Sequence, residues 1–445
     1  MRQEVGPNVK EKPLFLGAGG SKNSQPIKSN RRTFCSTMAA GLALSWSAAK
    51  QIARETASPG KPQGPTDEAS WSRIRSQFLL EPDFVYFNNA SIGLPPRPAI
   101  ETVNRGYQRL AANPNQGRAE LYEEVEREAR PRIARLVGAD AEEIALTRGA
   151  SEGLYLVANG IPLERGDEVL TTNQEHPAGL TPWTIRGERF GIVVRQVEIP
   201  SPFEKAAQVV QLLERAVSKR TKVISFCHVT RGGWLFPTKE ICEMARRHGI
   251  LSLVDGAQAI GMVSTNLHDL GCDLYATSLH KWMVAPSGNG MLYVRREMNP
   301  RLSSLFGLQS QKILKASQHE MPGTLALPVR VAVGSAAAFI EEIGIDNIEA
   351  RNRFLSTYLR DQLGKIKRVR LLGSPSSPVC SPGITLFEPE GIPATELQAT
   401  ILDQFRINVD EHVRNGHNAI RVSTHFYNTR AEIDRLTRVL HKLIA

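Results

Sequence analysis

Residues 276–290, ATSLHKWMVAPSGNG, crowd Ser278, His280 and Lys281 between an apolar run (Leu274, Tyr275, Ala276) and a glycine-rich turn. Most lysines are solvated surface charges. A lysine enclosed beside other cationic groups differs, because burial and like charge both disfavour its ammonium. The neutral amine that results attacks carbonyl carbon. Upstream, LVDGAQAIG (253–261) ends another apolar run in Asp255, with Gln258 three positions on. A carboxylate placed there is partly enclosed and needs a cation or a protonated nitrogen. Taken alone, the same Asp reads equally well as the N-cap of a following helix.

Other run ends carry polar groups. In TRGASEG (147–153) small residues leave the backbone N–H groups of Ala150 and Ser151 open to an anion at a helix N-terminus, and the Ser151 hydroxyl adds a donor. An ordinary Ser N-cap has the same sequence. NQEHPAG (173–179) places His176 in a loop, and SFCHVTRGG (225–233) places His228 and Thr230 at a strand end. Each is commonplace alone. Downstream, AIRVSTHFYNT (419–429) offers Arg421, whose planar fork suits a carboxylate. Together these groups suit carbonyl capture by an amine, with an anion anchor and a carboxylate clamp. Pyridoxal phosphate with an amino acid or amine substrate meets all of these demands. Lys281 would bind its aldehyde as a Schiff base, Asp255 would keep its ring nitrogen protonated, and His176 would lie on its ring.

The elements that position these residues read as an α/β fold. Short apolar strands are predicted at 143–148, 168–172, 191–199, 222–229, 250–255, 273–278 and 290–295, with helices such as 238–249 between them. This alternation predicts a mostly parallel seven-stranded sheet with helices on both faces. In such sheets the working residues gather at the carboxyl ends of the strands. LYEEVEREARPRIARLVGA reads as a long amphipathic helix kinked at Pro131. Long helices at about 329–346, 349–367 and 430–444, with strands GITLFE and AIRVST, predict a smaller C-terminal α/β lobe. The expected organisation is a tail over 1–50, a linker and N-terminal segment over 51–95, a large domain over 96–325 and a small domain over 326–445.

The chain has 445 residues and a formal charge of +10. Residues 1–60 hold nine Lys and Arg against three Glu, so six of the ten net charges lie in the tail. The near-neutral body carries no basic stripe, which argues against a nucleic-acid partner. The five cysteines form no CxxC pair, so neither a metal site nor a disulfide framework is expected. No apolar stretch is long enough for an ordinary membrane span, so no stable membrane anchor is expected. Arg31 and Arg32 precede a weakly apolar run, Phe34 to Trp46, and the small-residue stretch Ser47-Ala48-Ala49. This resembles a twin-arginine export signal, so a periplasmic location is expected; the alternative is a cytoplasmic protein with a basic tail.

VDGAQAIG, LHDLGCDLYATSLHKWMVAPSGNGMLYVR, YFNNASIGLPP and IRVSTHFYNTRAEIDRL stand in an order that closely resembles the class V aminotransferases over nearly all of 84–440. HVTRGGWLFP and HKW look most like the isopenicillin N epimerase-like branch. The resemblance implies the two-lobed fold-type I architecture, the small lobe taking in the N-terminal segment. It implies that Lys281 is the Schiff-base lysine, that Asp255 pairs with the pyridine nitrogen and that His176 stacks on the ring. It further implies Gln258 on the ring hydroxyl with Thr230 nearby, and Ser151, Ser278 and His280 on the phosphate. Thr324, in PGTLALP, would reach the phosphate of a partner subunit, which implies a homodimer. Arg421 would bind the substrate carboxylate. Transamination, epimerisation and a carbon–sulfur or other β-elimination all use such a site. Cysteine desulfurases of this class need a cysteine on a late loop; VRNGHNAIRVS (413–423) has none, and no cysteine follows Cys380.

Overall fold

Strands whose side chains are buried on both faces can lie only at the centre of a layered structure. The computed structural model describes residues 60–307, 312–373 and 377–444. All lie in the unit Ser58–Ala445. The Arg31–Arg32 pair and the run after it lie outside the described residues.

Thirteen strands form three sheets among the described residues. They are β1 Val85–Tyr86, β2 Ile144–Thr147, β3 Glu168–Thr172, β4 Val193–Val197, β5 Thr221–Cys227, β6 Leu251–Asp255, β7 Leu274–Ser278, β8 Gly290–Val294, β9 Val369–Leu372, β10 Ile384–Pro389, β11 Ile407–Asn408, β12 Asp410–Arg414 and β13 His417–Ser423. The central sheet has seven strands in the order β2-β8-β7-β6-β5-β3-β4. Strand β8 runs antiparallel to both neighbours, β2 and β7, and the other pairs are parallel. The predicted mostly parallel α/β fold is the observed one, and each of the seven expected strands is present. β2, β3, β7 and β8 are buried at every position, whereas the edge strand β4 alternates between exposed and half-buried residues.

Asp255 and Ser278 end the neighbouring parallel strands β6 and β7, and Asp255 is the ladder partner of Ala276. The parallel register therefore brings the two quoted motifs to one edge of the sheet. The helix Ala150–Gly160 and the helix Pro177–Phe190 start at the same edge.

The expected kink near Pro131 takes a specific form. Helix Pro114–Glu124 passes into a π turn at Val125–Ala129, and an α-helix resumes at Arg130–Leu136. Arg130 N–H bonds Val125 O, five residues back. Pro131 has no N–H for the usual bond, and the widened turn absorbs the mismatch.

The second sheet has the order β12-β13-β10-β9 and is antiparallel throughout. Its core joins Leu355, Leu359, Phe387, Ile420 and Leu436 with Val85 and Phe87. The N-terminal segment thus enters the small lobe, where β1 pairs with β11. Helix Leu327–Ile343 packs instead on helix Arg97–Ala112, where Thr102 Oγ1 and Ser335 Oγ lie 2.8 Å apart.

The turn after β1 buttresses the lysine loop. Gly93 N–H donates to His280 O at 2.7 Å. A Cβ on Gly93 would lie 1.9 Å from Lys281 O, closer than any real contact. Gly93→Ala should therefore push the lysine loop outward and cost about 1–3 kcal/mol, the usual range for overpacking. The check is thermal unfolding, where a fall of a few degrees is expected; an unchanged midpoint would show that the loop yields freely.

Candidate functional site

A cavity of about 360 Å³ opens at the carboxyl edge of the central sheet, lined by Ser151, His176, Asp255, Gln258, Ser278 and Lys281 among others. Ala150 and Arg421 also line it. Ser91, Ser151, His176, Ser278 and Lys281 continue into an outer chamber whose rim includes the exposed Leu305 and Phe306.

Lys281 is locked from both sides. His280 Nδ1 lies 2.8 Å from Asn289 O, an acceptor, so that nitrogen carries a proton. Trp282, fully buried, donates Nε1–H to Gln258 Oε1 at 2.7 Å, and its ring meets His425 edge-on. His425 Nε2 lies 2.9 Å from Trp282 O. A Cβ on Gly383 would strike the Trp282 ring at 2.5 Å. Val284 sits in the left-handed region at φ 52°, which is costly for a β-branched residue and holds the chain in a tight turn. Among the described residues no hydrogen bond or ion pair holds Lys281 Nζ. Burial lowers its pKa to about 8, with Asp255 opposing and Arg421 and Arg231 adding to the fall.

Asp255 is 6% exposed and accepts Ala257 N–H at 2.9 Å. Burial raises its pKa, against the pull of the Ala257 N–H and the Lys281 charge. It has no ion pair among the described residues, although a buried carboxylate needs one. Glu175 lies on the same side: a Cβ at Gly179 would be 3.5 Å from Glu175 Oε2 and 3.7 Å from Asp255 Oδ2. Burial pushes Glu175 up to about 8, against the Thr172 hydroxyl it accepts from at 2.6 Å and with the Asp255 charge adding to the rise. Glu175 therefore carries a proton at neutral pH while Asp255 faces the cavity.

His176 caps the helix Pro177–Phe190. Its Nδ1 accepts Ala178 N–H at 3.1 Å, so the neutral ring carries its proton on Nε2. Burial, followed by Lys281 and nearby arginines, lowers its pKa to about 4, so the ring is neutral at working pH. Gln258 is oriented at both ends of its amide, since its Nε2–H also donates to Ala90 O at 2.9 Å.

Two expected binding groups need correction. The Ala150 N–H, expected to be open to an anion, donates to Ser278 Oγ at 3.0 Å. The Ser278 oxygen is thereby engaged as acceptor, which leaves the hydroxyl proton for an anion. Thr230 is fully buried, and its Oγ1 accepts Trp234 N–H at 3.0 Å. It closes the 230–234 turn and does not line the cavity; its neighbours Val229 and Arg231 do. Thr324, expected at the phosphate of a partner subunit, is exposed and lies outside the cavity of its own chain, as that expectation requires of its position here. His228 also stays away, 3.0 Å from the Tyr275 hydroxyl.

Arg421 lies on β13 directly across the ladder from Asp410 on β12. Arg421 is 3% exposed, and its guanidinium bonds Asp410 through Nη2, which also donates to Ser91 Oγ at 2.9 Å. Its Nε is buried without a partner. Burial holds its pKa down to about 10, with Asp410 opposing. Glu175, Cys227, Arg231 and Asp410 line or border the cavity and were not singled out from sequence. Glu175 and Arg231 fall inside quoted motifs, beside residues that were.

The site accordingly offers an uncompensated buried carboxylate, an unbonded amine, a serine hydroxyl at a helix N-terminus and a half-satisfied guanidinium. Pyridoxal phosphate with an amino acid fits each of them: a protonated ring nitrogen, an aldehyde, a phosphate and a carboxylate.

The comparisons agree. The family model for aminotransferase class-V matches residues 85–436. Isopenicillin N epimerase from Amycolatopsis lactamdurans is 32% identical over 398 residues, covering 84% of this chain and 98% of the relative. A probable cysteine desulfurase from Halalkalibacterium halodurans is 30% identical, covering 80% of this chain and 92% of the relative. The apo structure of a cysteine desulfurase from Thermococcus onnurineus NA1 superposes with a TM-score of 0.75 at 25% identity, over 83% of this chain and 97% of that one. The chain belongs to the class V aminotransferase family and is a pyridoxal phosphate-dependent enzyme.

Proposed function

We propose that this enzyme works at the α-carbon of an amino acid or amine, with Lys281 first carrying the cofactor and then moving the α-proton. One observation carries the reading: a buried Asp255 without an ion pair and a Lys281 amine without a hydrogen bond face the same cavity. Pyridoxal phosphate supplies an aldehyde for amine capture and a protonated ring that acidifies the substrate Cα–H.

Asp255 would accept the ring N–H, and its burial would strengthen that charge-assisted bond. Gln258, fixed by Trp282 and Ala90, turns its remaining N–H to the ring hydroxyl. His176, held by its capping bond as a neutral imidazole, would lie against the ring. The Ser278 hydroxyl proton and Ser151 at the start of helix Ala150–Gly160 hold the phosphate. His280, with Nδ1–H already on Asn289 O, donates to that phosphate only as imidazolium. Arg421 takes the substrate carboxylate.

With the cofactor bound to the substrate, the free amine of Lys281 would serve as the base for the α-proton. Similarity to isopenicillin N epimerases supports proton transfer at the α-carbon. Release of pyruvate or sulfide without an amino acceptor would mark a β-elimination lyase instead. A persulfide route lacks its nucleophile among the described residues. Of the four described cysteines, all buried, only Cys227 lines the cavity, and burial raises its thiol well above the ordinary value. A second subunit completes the site in this reading, with the exposed Thr324 reaching the partner's phosphate; a monomeric mass in solution would remove that part.

Lys281→Ala should retain the fold and lower turnover on the order of 10³-fold or more, as loss of a positioned acid–base does. Borohydride should fix the cofactor to Lys281 in the wild type and to nothing in the variant, read by peptide mass. Wild-type-like turnover of Lys281→Ala would overturn the mechanism.

The lysine also fixes a pH dependence. Its pKa is depressed to about 8, so the neutral, nucleophilic amine dominates above that pH and is lost below it. Cofactor uptake by the cofactor-free enzyme, followed by stopped-flow absorbance, should slow about tenfold per pH unit below 8 and level off above it. A slope continuing to pH 10 would place the lysine near its ordinary value and contradict its enclosure.

A further inference from the structure

The clamp Arg421 is paired in the cavity with a half-buried carboxylate, Asp410, that the chemistry above does not use. Asp410 and Arg421 face each other across β12 and β13, and one oxygen of Asp410 sits on Arg421 Nη2. That oxygen also lies 3.4 Å from Ser91 Oγ and 3.6 Å from Arg231 Nη2. Asp410 thus stands between two guanidiniums, both of which line the cavity with it.

Every hydrogen bond of Arg421 among the described residues passes through Nη2: to Asp410, to Ser91 and, at 3.5 Å, to Asn88 Oδ1. Nε is buried and bonded to nothing. Asp410 therefore satisfies one position of a fork built for two. A planar carboxylate carried by a ligand can satisfy both, which gives it an advantage over Asp410 at the same guanidinium. The opposite case is as important. With no carboxylate in the ligand, an Arg421 without Asp410 would be a buried, unpaired cation, which is strongly unfavourable.

We propose that Asp410 is a displaceable internal carboxylate. It occupies Arg421 when the bound amine has no carboxylate and passes to Arg231 when a substrate carboxylate arrives, so that one site accepts both amino acids and carboxylate-free amines. The inference rests on the reading of Arg421 as the carboxylate clamp. Arg231 is placed to receive Asp410: it is partly exposed and already bonds Glu411 Oε1 at 3.3 Å and Glu411 O at 3.1 Å. A short side-chain movement toward Arg231 exchanges one ion pair for another without baring a charge.

Two probes test this without a known substrate. Aminooxyacetate carries a carboxylate and O-methylhydroxylamine does not. Each takes the cofactor's aldehyde carbon from Lys281: the C=N bond to the probe forms, that to Lys281 breaks, and Lys281 leaves as the amine. Capture by the holoenzyme is read as loss of the lysine-bound absorbance, and the observable is the ratio of the two second-order rate constants. Asp410→Asn should raise the ratio of aminooxyacetate to O-methylhydroxylamine about tenfold or more, by removing the competitor. Arg231→Gln should lower the ratio, by removing the place to which Asp410 moves. Asp410→Ser serves as a second variant should the first not fold. A ratio within twofold of wild type in the Asp410 variants, or a fall, would overturn the proposal; a fall would make Asp410 a fixed support of Arg421. Arg421→Gln separates the two layers. If it abolishes the preference for aminooxyacetate while Asp410→Asn changes nothing, displacement alone fails. If Arg421→Gln leaves the ratio unchanged, Arg421 is not the clamp, and both readings fall.

Discussion

The constraint on which the site depends is the desolvation of two opposite charges, a buried Asp255 and a half-buried Lys281, that face one cavity without an ion pair between them. Asp255 ends β6 with a backbone N–H as its bonded partner, and Lys281 hangs from the loop after β7 with its amine unbonded. Burying a charge without a partner is costly, so each group is shifted toward its neutral form. The parallel sheet is what makes this tolerable. It fixes the backbones at adjacent strand ends, so both groups stay at one edge of the sheet. A ligand with a protonated ring nitrogen and a carbonyl relieves both shifts at once.

The same fixity reaches the second lobe. Trp282 follows Lys281 in sequence and is gripped by Gln258 from the large lobe and by His425 from the loop after β13. Arg421 sits on β13 itself. The lysine and the carboxylate clamp are therefore tied through a few buried side chains, even though the residues stand 140 positions apart by their numbers. The strained Val284 closes this arrangement from the other side. Strain of this kind persists only where the surroundings over-determine the backbone, and here they do: Gly93, Asn289 and Gly383 leave the loop no second position.

Much of this is legible in the sequence because it follows from periodicity and strand ends. A sheet buried on both faces writes itself as apolar runs, and parallel connection forces the polar residues that end those runs to one edge. Asp255, Ser278, Lys281 and His176 are found that way. What fails is what depends on direction within a turn. Thr230 and Arg231 are neighbours, yet the Thr hydroxyl closes its own turn and the Arg reaches the cavity. Ala150 offers an N–H to the helix terminus, but Ser278 from another strand takes it. Strand β12, DEHVR, has no apolar pattern, because a short, charged outer strand of a small sheet does not need one. Its Asp410 acquires meaning only from the ladder that sets it opposite Arg421.

That ladder also explains why charge in the cavity is held in balance. Lys281, Arg231 and Arg421 line the cavity with Asp255 and Asp410, Glu411 pairs with Arg231 beside it, and Glu175 keeps its proton. Were Glu175 ionised, it would compete with Asp255 for any protonated nitrogen and raise the cost of two carboxylates in one gap. Keeping it neutral costs little, because Thr172 and the Cys227 N–H still satisfy its oxygen. The site thus separates three carboxyl groups by environment rather than by type. Asp255 faces the cofactor pocket, Glu175 is neutral and structural behind it, and Asp410 is held by arginines at the substrate end. Division of labour among like groups follows from what each touches, which is why residue identity alone could name the chemistry but not assign it.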